Sequence, residues 1–154
     1  MDIDQIQLIF QLVLAVVLGG VIGLEREIKN KPAGFQTYSL VTLGATIFTI
    51  SCSAIFNSFF SSTGISFDPS RVVLAVATGI GFIGAGVIFH RGHEYEGITT
   101  AAGLWCVAGI GVAIGSSLYL LAIASSVLVM IVFMIFDKIE RSQLVSSRIK
   151  KAKR

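Results

Sequence analysis

The sequence predicts an all-α integral membrane protein with five transmembrane helices. The chain of 154 residues is 54% hydrophobic and only 14% charged, whereas an average soluble domain carries about 25% charged residues. Its mean hydropathy is +0.83, and a chain this short cannot bury so much apolar surface in one water-soluble core. The apolar residues also gather in five uncharged segments, each of about the length that spans a bilayer.

None of the five segments contains Asp, Glu, Lys or Arg. They are residues 6–24, 38–55, 72–89, 98–115 and 118–136. The last two are joined only by Ser116 and Ser117. They must be separate helices, because a single helix over residues 98–136 would be about 58 Å long, nearly twice the hydrocarbon core of a bilayer.

The chain forms one membrane domain in this interpretation. Residues 1–137 hold the five helices, and residues 138–154 form a basic tail. The first segment follows the acidic stretch MDIDQ and is not followed by a small-residue cleavage signal. We therefore expect a retained helix and not a signal peptide.

Lysine and arginine predict the orientation. With five crossings of the membrane, eleven of the twelve lysines and arginines fall on the side of the C-terminus, and only Arg71 falls on the other side. Short loops rich in these residues stay in the cytoplasm. We expect the N-terminus outside and the C-terminus inside, with the basic tail lying on anionic lipid.

A charged cluster follows the first segment directly. Glu25, Arg26 and Glu27 come after a glycine-rich helix end, and Pro32 and Gly34 precede the second segment. One interpretation is a solvated cytoplasmic loop over residues 25–34, in which Lys29 and Lys31 balance the two glutamates. The other is a functional cluster, held against the cytoplasmic ends of neighbouring helices. The expected members of that cluster are Glu25, Arg26, Glu27, Gly34, Gln36, Thr37, Thr99 and Thr100.

Glycine recurs in the segments at spacings that allow close helix packing. The residues expected to pack helix against helix are Gly19, Gly23, Gly81, Gly84, Gly86, Gly111, Gly115 and Trp105. The fifth segment is bulky and poor in glycine, so we expect it at the periphery, facing lipid or a second copy. A two-fold homodimer is the simplest assembly that fits such faces.

The first four segments also show a weak internal repeat with an offset of 63 residues. The pairs are Gly23 with Gly86, Gly34 with Gly97, Thr37 with Thr100, Ala45 with Ala108 and Ile47 with Ile110. Both hairpins would cross the membrane in the same sense, which is the parallel-repeat arrangement. Chance matching of small residues is the alternative.

Four blocks of this sequence resemble the signatures of the MgtC/SapB family of bacterial inner-membrane proteins. They are GLERE, PAGFQTYSLVTLGA, GIGFIGAGVIF and GITTAAGLWCVAGIGVAIG. The chain departs from the family at Gln36, where an arginine is usual, and it resembles a short form without the soluble C-terminal domain of longer members. The resemblance implies a role in magnesium homeostasis, stress and virulence, and it implies the F-type ATP synthase as a partner to consider.

The resemblance implies a regulatory or homeostatic factor that acts through protein contacts in the membrane, and the positions of the ionisable residues agree with it. No carboxylate lies inside a segment, although transport sites usually contain buried ionisable residues. Glu25, Glu27, Glu94 and Glu96 are weak candidates for metal ligands at the membrane edge. The alternative is a small transporter or channel for a cation or small anion. No motif indicates an enzyme, a cofactor or nucleic-acid binding.

Overall fold

The computed structural model describes residues 5–59, 68–91 and 94–152, with side chains described for residues 5–56, 68–90 and 95–135. Its helices are α1 (Gln5–Ile28), α2 (Phe35–Phe59), α3 (Ser70–Val87), α4 (Ile98–Gly115) and α5 (Tyr119–Ala152). The strands β1 (Phe89–Arg91) and β2 (Glu94–Glu96) form a small antiparallel ribbon between α3 and α4. The predicted all-α membrane fold is confirmed, and the ribbon is an addition to it.

Four of the described helices are long and apolar enough to cross a membrane. They are Gln5–Ile28, Phe35–Phe56, Ser70–Val87 and Ile98–Gly115. The apolar part of α5 is shorter and covers Tyr119–Ile135. Beyond it α5 continues as one helix to Ala152, so the predicted tail extends the last transmembrane helix by about 25 Å.

The first helix ends four residues later than the sequence indicated. Glu25 and Arg26 belong to its last turn and not to a loop. Asn30 adopts a left-handed conformation with φ of 53°, and the amide of Lys31 donates to the carbonyl of Arg26 at 3.0 Å. This is a Schellman ending, in which Asn at the left-handed position closes the helix before Pro32.

The fourth helix ends in the same way. Ser117 has φ of 61°, and the amide of Leu118 donates to the carbonyl of Ala113 at 2.8 Å. This tight ending lets the chain reverse between α4 and α5 with almost no loop. At the other end of α4, Gly97 has φ of 91°, and a side chain there would overlap the carbonyl of Val87.

The helices are arranged around α2 and α4. α1 packs along α2, α2 along α4, and α3 along α4, while α5 lies outside against α4 and α1. α4 is the most buried helix, and its Leu104, Val107 and Ile114 are fully covered. Large apolar side chains cover the outer surface, as expected where lipid is the solvent.

Four of the glycines singled out in the sequence lie where two helices touch. A Cβ atom at Gly19 would lie 2.7 Å from the carbonyl of Tyr38, and one at Gly23 would lie 2.8 Å from that of Gly34. A Cβ at Gly111 would overlap the backbone of Thr42 in α2, and one at Gly115 would lie 2.6 Å from Cβ of Thr49. The absence of side chains therefore brings α1 and α4 close to the two sides of α2.

Two of the three glycines singled out in α3 do not have the predicted packing role. Gly81 and Gly86 have open space where a side chain would begin. They lie on the outer surface because α3 contacts the rest of the protein mainly through one face. Gly84 is buried on that face, where a Cβ atom would make an ordinary contact, 3.6 Å from Cβ of Ala101 in α4. Trp105 is 59% exposed, so the packing role predicted for it was also wrong.

The internal repeat stays a prediction. The order of packing, α1–α2–α4–α3, is what two related hairpins would give, and Ala45 and Ala108 are both buried. The paired glycines behave differently, since Gly23 is enclosed and Gly86 is open.

A matched pair of glycines in α4 tests the packing. Gly111→Ala should destabilise the protein by about 1–3 kcal/mol, because the added methyl group overlaps α2. Gly109→Ala, two residues away in open space, should be neutral or slightly stabilising. Unfolding of the purified protein in detergent, followed by circular dichroism, measures both, and equal effects would contradict the packing.

Candidate functional site

Two oppositely charged side chains are buried at the end of α1. Arg26 is completely inaccessible and Glu25 is 8% exposed. Such residues are almost never fully buried unless they are paired. The last turn of α1 is therefore enclosed by other parts of the protein and is not a solvated loop.

The buried arginine bridges α1 and α5. Its Nη1 lies 3.5 Å from Oε2 of Glu25, and its guanidinium lies over the ring of Phe133 at 4.1 Å from the centroid. A desolvated cation–π contact of this kind contributes about 2 kcal/mol. Arg26 thus joins the carboxylate beside it to an aromatic residue of the last helix.

Lys29 completes the connection to α5. Its ammonium pairs with Oε1 of Glu25, one helical turn earlier, and donates to the carbonyl of Phe133 at 3.4 Å. The sequence-based interpretation of Lys29 as a solvated loop residue was wrong, because the helix continues through Ile28 and places Lys29 on the same side as Glu25. We call Glu25, Arg26, Lys29 and Phe133 the α1–α5 cluster.

Close packing of α2 and α4 encloses the α1–α5 cluster. A Cβ at Gly103 of α4 would lie 2.5 Å from both the Phe133 ring and the Tyr38 hydroxyl. That hydroxyl donates to the carbonyl of Thr100 at 3.2 Å, and Tyr38 is fully buried. Glycine at position 103 thus lets the aromatic rings of α2 and α5 meet against α4.

Glu27 has a different role from Glu25. It is exposed, and its Oε2 accepts a hydrogen bond from the backbone amide of Phe35 at 2.7 Å. This amide belongs to the first residue of α2, where helix amides lack partners within the helix. A Cβ at Gly34 would lie 2.6 Å from the same carboxylate, so Gly34 makes room for Glu27 to cap α2.

The other predicted members do not join the α1–α5 cluster through their side chains. Gln36 and Thr99 are exposed, and Thr37 is half-buried at a groove between α2 and α3. Thr100 is buried and takes part through its carbonyl oxygen, not its hydroxyl. Successive residues of a helix point in different directions, so the predicted group could not stay together.

The carboxylates considered as metal ligands do not come together. Glu25 and Glu27 are engaged in the contacts above, and Glu96 is exposed on the ribbon. The side chain of Glu94 lies outside the described residues. Within the described part of the chain, no three His, Cys, Asp or Glu side chains are grouped as metal ligands would be.

Sequence reasoning missed Phe133 and Gln11. Gln11 is buried at the opposite half of α1, where its amide donates to the carbonyl of Ile114 at 2.8 Å and to the Ser117 hydroxyl at 3.1 Å. It therefore caps the end of α4. A polar residue well inside an apolar segment was the available signal for Gln11. Phe133 gave none, since it lies in a run of apolar residues.

Comparison with known protein families identifies the family of this chain. The model of the MgtC family matches residues 12–142, which includes most of α1 and α5, the whole of the other three helices and the α1–α5 cluster. The chain belongs to the MgtC family. The resemblance that the four sequence blocks indicated is thus confirmed. The prediction of a membrane protein is confirmed with it.

Individual relatives agree with this assignment. The chain is 40% identical over 133 residues to the "Putative magnesium transporter YhiD" of Escherichia coli strain K12, covering 86% of this chain and 62% of the relative. It is 38% identical over 122 residues to "Protein MgtC" of Salmonella typhimurium strain LT2, covering 79% and 49%. The chain therefore spans about half to three fifths of the length of these curated relatives. No solved structure matches the chain.

The contact between Arg26 and Phe133 can be tested through the mobility of α5. Phe133→Leu removes the ring under the guanidinium, so backbone amides in α5 should exchange hydrogen for deuterium faster. Phe82→Leu is the matched control, because Phe82 is 85% exposed. Exchange measured by mass spectrometry should change only in the first variant. Unchanged exchange in α5 would contradict the role of this contact.

Proposed function

We propose that this protein is a regulatory factor of magnesium homeostasis that acts on another membrane protein through contacts made by α5. The observation that carries the proposal is the buried α1–α5 cluster. It fixes α5 to the rest of the bundle through Arg26 and Lys29.

Burial makes this connection sensitive to disturbance. Moving α5 away would leave both ion pairs of Glu25 intact, but it would break the cation–π contact of Arg26 with Phe133 and the hydrogen bond from Lys29 to the Phe133 carbonyl. A desolvated cation–π contact contributes about 2 kcal/mol. α5 therefore has one strongly preferred position against α1. A partner that binds α5 beyond Ile135 would shift that position by competing with the contacts of the cluster, and only to the extent that it binds the shifted position more tightly.

The link to magnesium rests on the relatives and not on a magnesium site. One relative carries the printed name of a putative magnesium transporter. In this chain the carboxylates of Glu25 and Glu27 are already engaged by Lys29 and by the amide of Phe35. Magnesium prefers octahedral oxygen ligands and retains several waters, so these groups suit helix contacts better than magnesium binding.

The proposal includes the membrane location, the orientation and the partners of the protein. The bias of lysine and arginine favours a cytoplasmic C-terminus in the bacterial inner membrane, where the basic end of α5 meets anionic lipid. The family resemblance adds stress and virulence adaptation, with the F-type ATP synthase as the first partner to test. Self-association as a homodimer completes this picture.

The second candidate function is transport of a cation or small anion, which the printed name of the Escherichia coli relative favours. A transporter needs a polar path. The buried hydroxyls of Thr42, Thr46 and Thr49, where α2 meets α1 and α4, each donate to a helix carbonyl, and glycines and apolar side chains fill the rest of the contact. Flux through liposomes separates the two functions.

Substitutions in the cluster should impair function while the protein remains in the membrane. Arg26→Lys keeps the charge but loses the planar group that stacks on Phe133, and Glu25→Gln keeps the shape but removes the charge facing Arg26 and Lys29. We expect both variants to complement growth in low magnesium at least tenfold less well than the unchanged protein, in a strain lacking the gene.

Lys31→Gln is the control for this experiment, because Lys31 is exposed beyond the end of α1. Its complementation should match the unchanged protein. Membrane abundance of each variant is measured in parallel by immunoblot. If Arg26→Lys and Glu25→Gln are as abundant and as active as the control, the cluster is only structural and the proposed site is wrong.

Reconstitution tests the class of function directly. Purified protein in liposomes should show no saturable flux of magnesium, protons or phosphate above empty vesicles, measured with ion-sensitive dyes and radiolabelled phosphate. Saturable flux that Arg26→Lys abolishes would overturn the regulatory proposal in favour of transport.

A further inference from the structure

An apolar groove of about 910 Å³ lies between α2 and α3, with α4 as its floor. We call it the α2–α3 groove. Leu40 and Phe48 line it from α2, Val72 and Gly79 from α3, and Ala108 from α4. It is open because α2 and α3 touch each other only weakly, while both pack on α4.

The dimensions of the α2–α3 groove fit acyl chains better than a helix. Along α2 its lining extends from Thr37 to Cys52, and along α3 from Arg71 to Ile83, which corresponds to about 22 Å and 18 Å. One leaflet of the hydrocarbon core is about 15 Å deep, and a spanning helix needs about 30 Å. A helix of 18 residues also occupies about 2,100 Å³, more than twice the volume of the groove.

One end of the groove carries a positive charge. Arg71 is the only charged side chain among the described residues that line it, and it lies at the end of the bundle opposite the α1–α5 cluster. Its side chain is 85% exposed and forms an ion pair with Asp68, three residues earlier. Its exposure lets the guanidinium reach the mouth of the groove.

The acidic residue near Arg71 is turned toward the start of α3. Oδ1 of Asp68 accepts hydrogen bonds from the Ser70 hydroxyl at 2.6 Å and from the Ser70 amide at 3.0 Å. Oδ2 lies 3.9 Å from Nε of Arg71, too far for a hydrogen bond. The carboxylate of Asp68 thus pairs with Arg71 without a short hydrogen bond, and a phosphate that binds the planar donors of Arg71 shares the guanidinium with it.

We propose that the α2–α3 groove binds a membrane phospholipid, with its acyl chains along α2 and α3 and its phosphate on Arg71. The occupant needs an apolar part about one leaflet long and an anionic group at one end. A phospholipid of the leaflet at the Arg71 end has both.

Native mass spectrometry of the delipidated full-length protein tests this proposal. Phosphatidylglycerol is titrated in parallel with a diacylglycerol of the same chains, which lacks the phosphate. Phosphatidylglycerol should bind with one-to-one stoichiometry and at least about tenfold more tightly, as expected for charge-assisted hydrogen bonds. Equal retention of the two lipids would overturn the role of Arg71.

Two pairs of variants locate the lipid. Arg71→Gln should weaken phosphatidylglycerol binding about tenfold, whereas Lys31→Gln, exposed at the other end, should not change it. Gly79→Leu should fill the groove and reduce binding of either lipid. Gly81→Leu is its matched control, because both glycines have open space but only Gly79 lines the groove.

The competing occupant is a second copy of the chain. In that case Gly79→Leu would convert a dimer into a monomer in light scattering while phosphatidylglycerol binding stayed unchanged. That result would overturn the proposal, as would equal lipid binding by the Gly79→Leu and Gly81→Leu variants.

Discussion

The structure depends on the burial of one arginine. Arg26 has no accessible surface, although it stands at the end of a helix whose other residues prefer lipid. A charge in this position needs a carboxylate and a polarisable surface close by. Glu25 supplies the first and the ring of Phe133 supplies the second. The end of α1 and the distant helix α5 must therefore meet at one end of the bundle.

Glycine residues allow these helices to approach closely enough for the contact to form. Gly23 lets α2 approach the last turns of α1, and Gly103 lets the ring of Phe133 and the hydroxyl of Tyr38 share one site on α4. At the opposite half of α1, Gln11 anchors the same helix to the end of α4. Helix α1 is thus fixed at both ends by polar contacts, while its middle packs on α2 through glycine and accepts a hydrogen bond from the Ser39 hydroxyl at the carbonyl of Val16. By contrast, α3 is attached along one face only, which leaves the α2–α3 groove open.

The fold could be predicted from the sequence because the lengths of the apolar segments and the distribution of charged residues can be read directly along the chain. Helix number and approximate bounds follow from segment length, but the extension of α1 through Ile28 depends on the left-handed conformation of Asn30. The importance of Glu25 and Arg26 was visible from their position behind the glycines. The roles of Lys29 and Phe133 were not visible. Lys29 takes part because it lies on the same side of the α1 end as Glu25, and Phe133 takes part because α5 packs against that end. Trp105, Gly81 and Gly86 show the opposite case. Their residue types are common where helices pack, but the residue type does not show which face of a helix another helix covers.

A double-mutant cycle between Arg26 and Phe133 tests the central claim most directly. The free energy of unfolding in detergent is measured for the unchanged protein, for Arg26→Met, for Phe133→Leu and for the double variant. The account predicts a coupling energy of about 2 kcal/mol, as for a desolvated cation–π contact. Effects that add to within about 0.5 kcal/mol would show that the two residues act independently. In that case α5 is not held to α1 by the buried arginine.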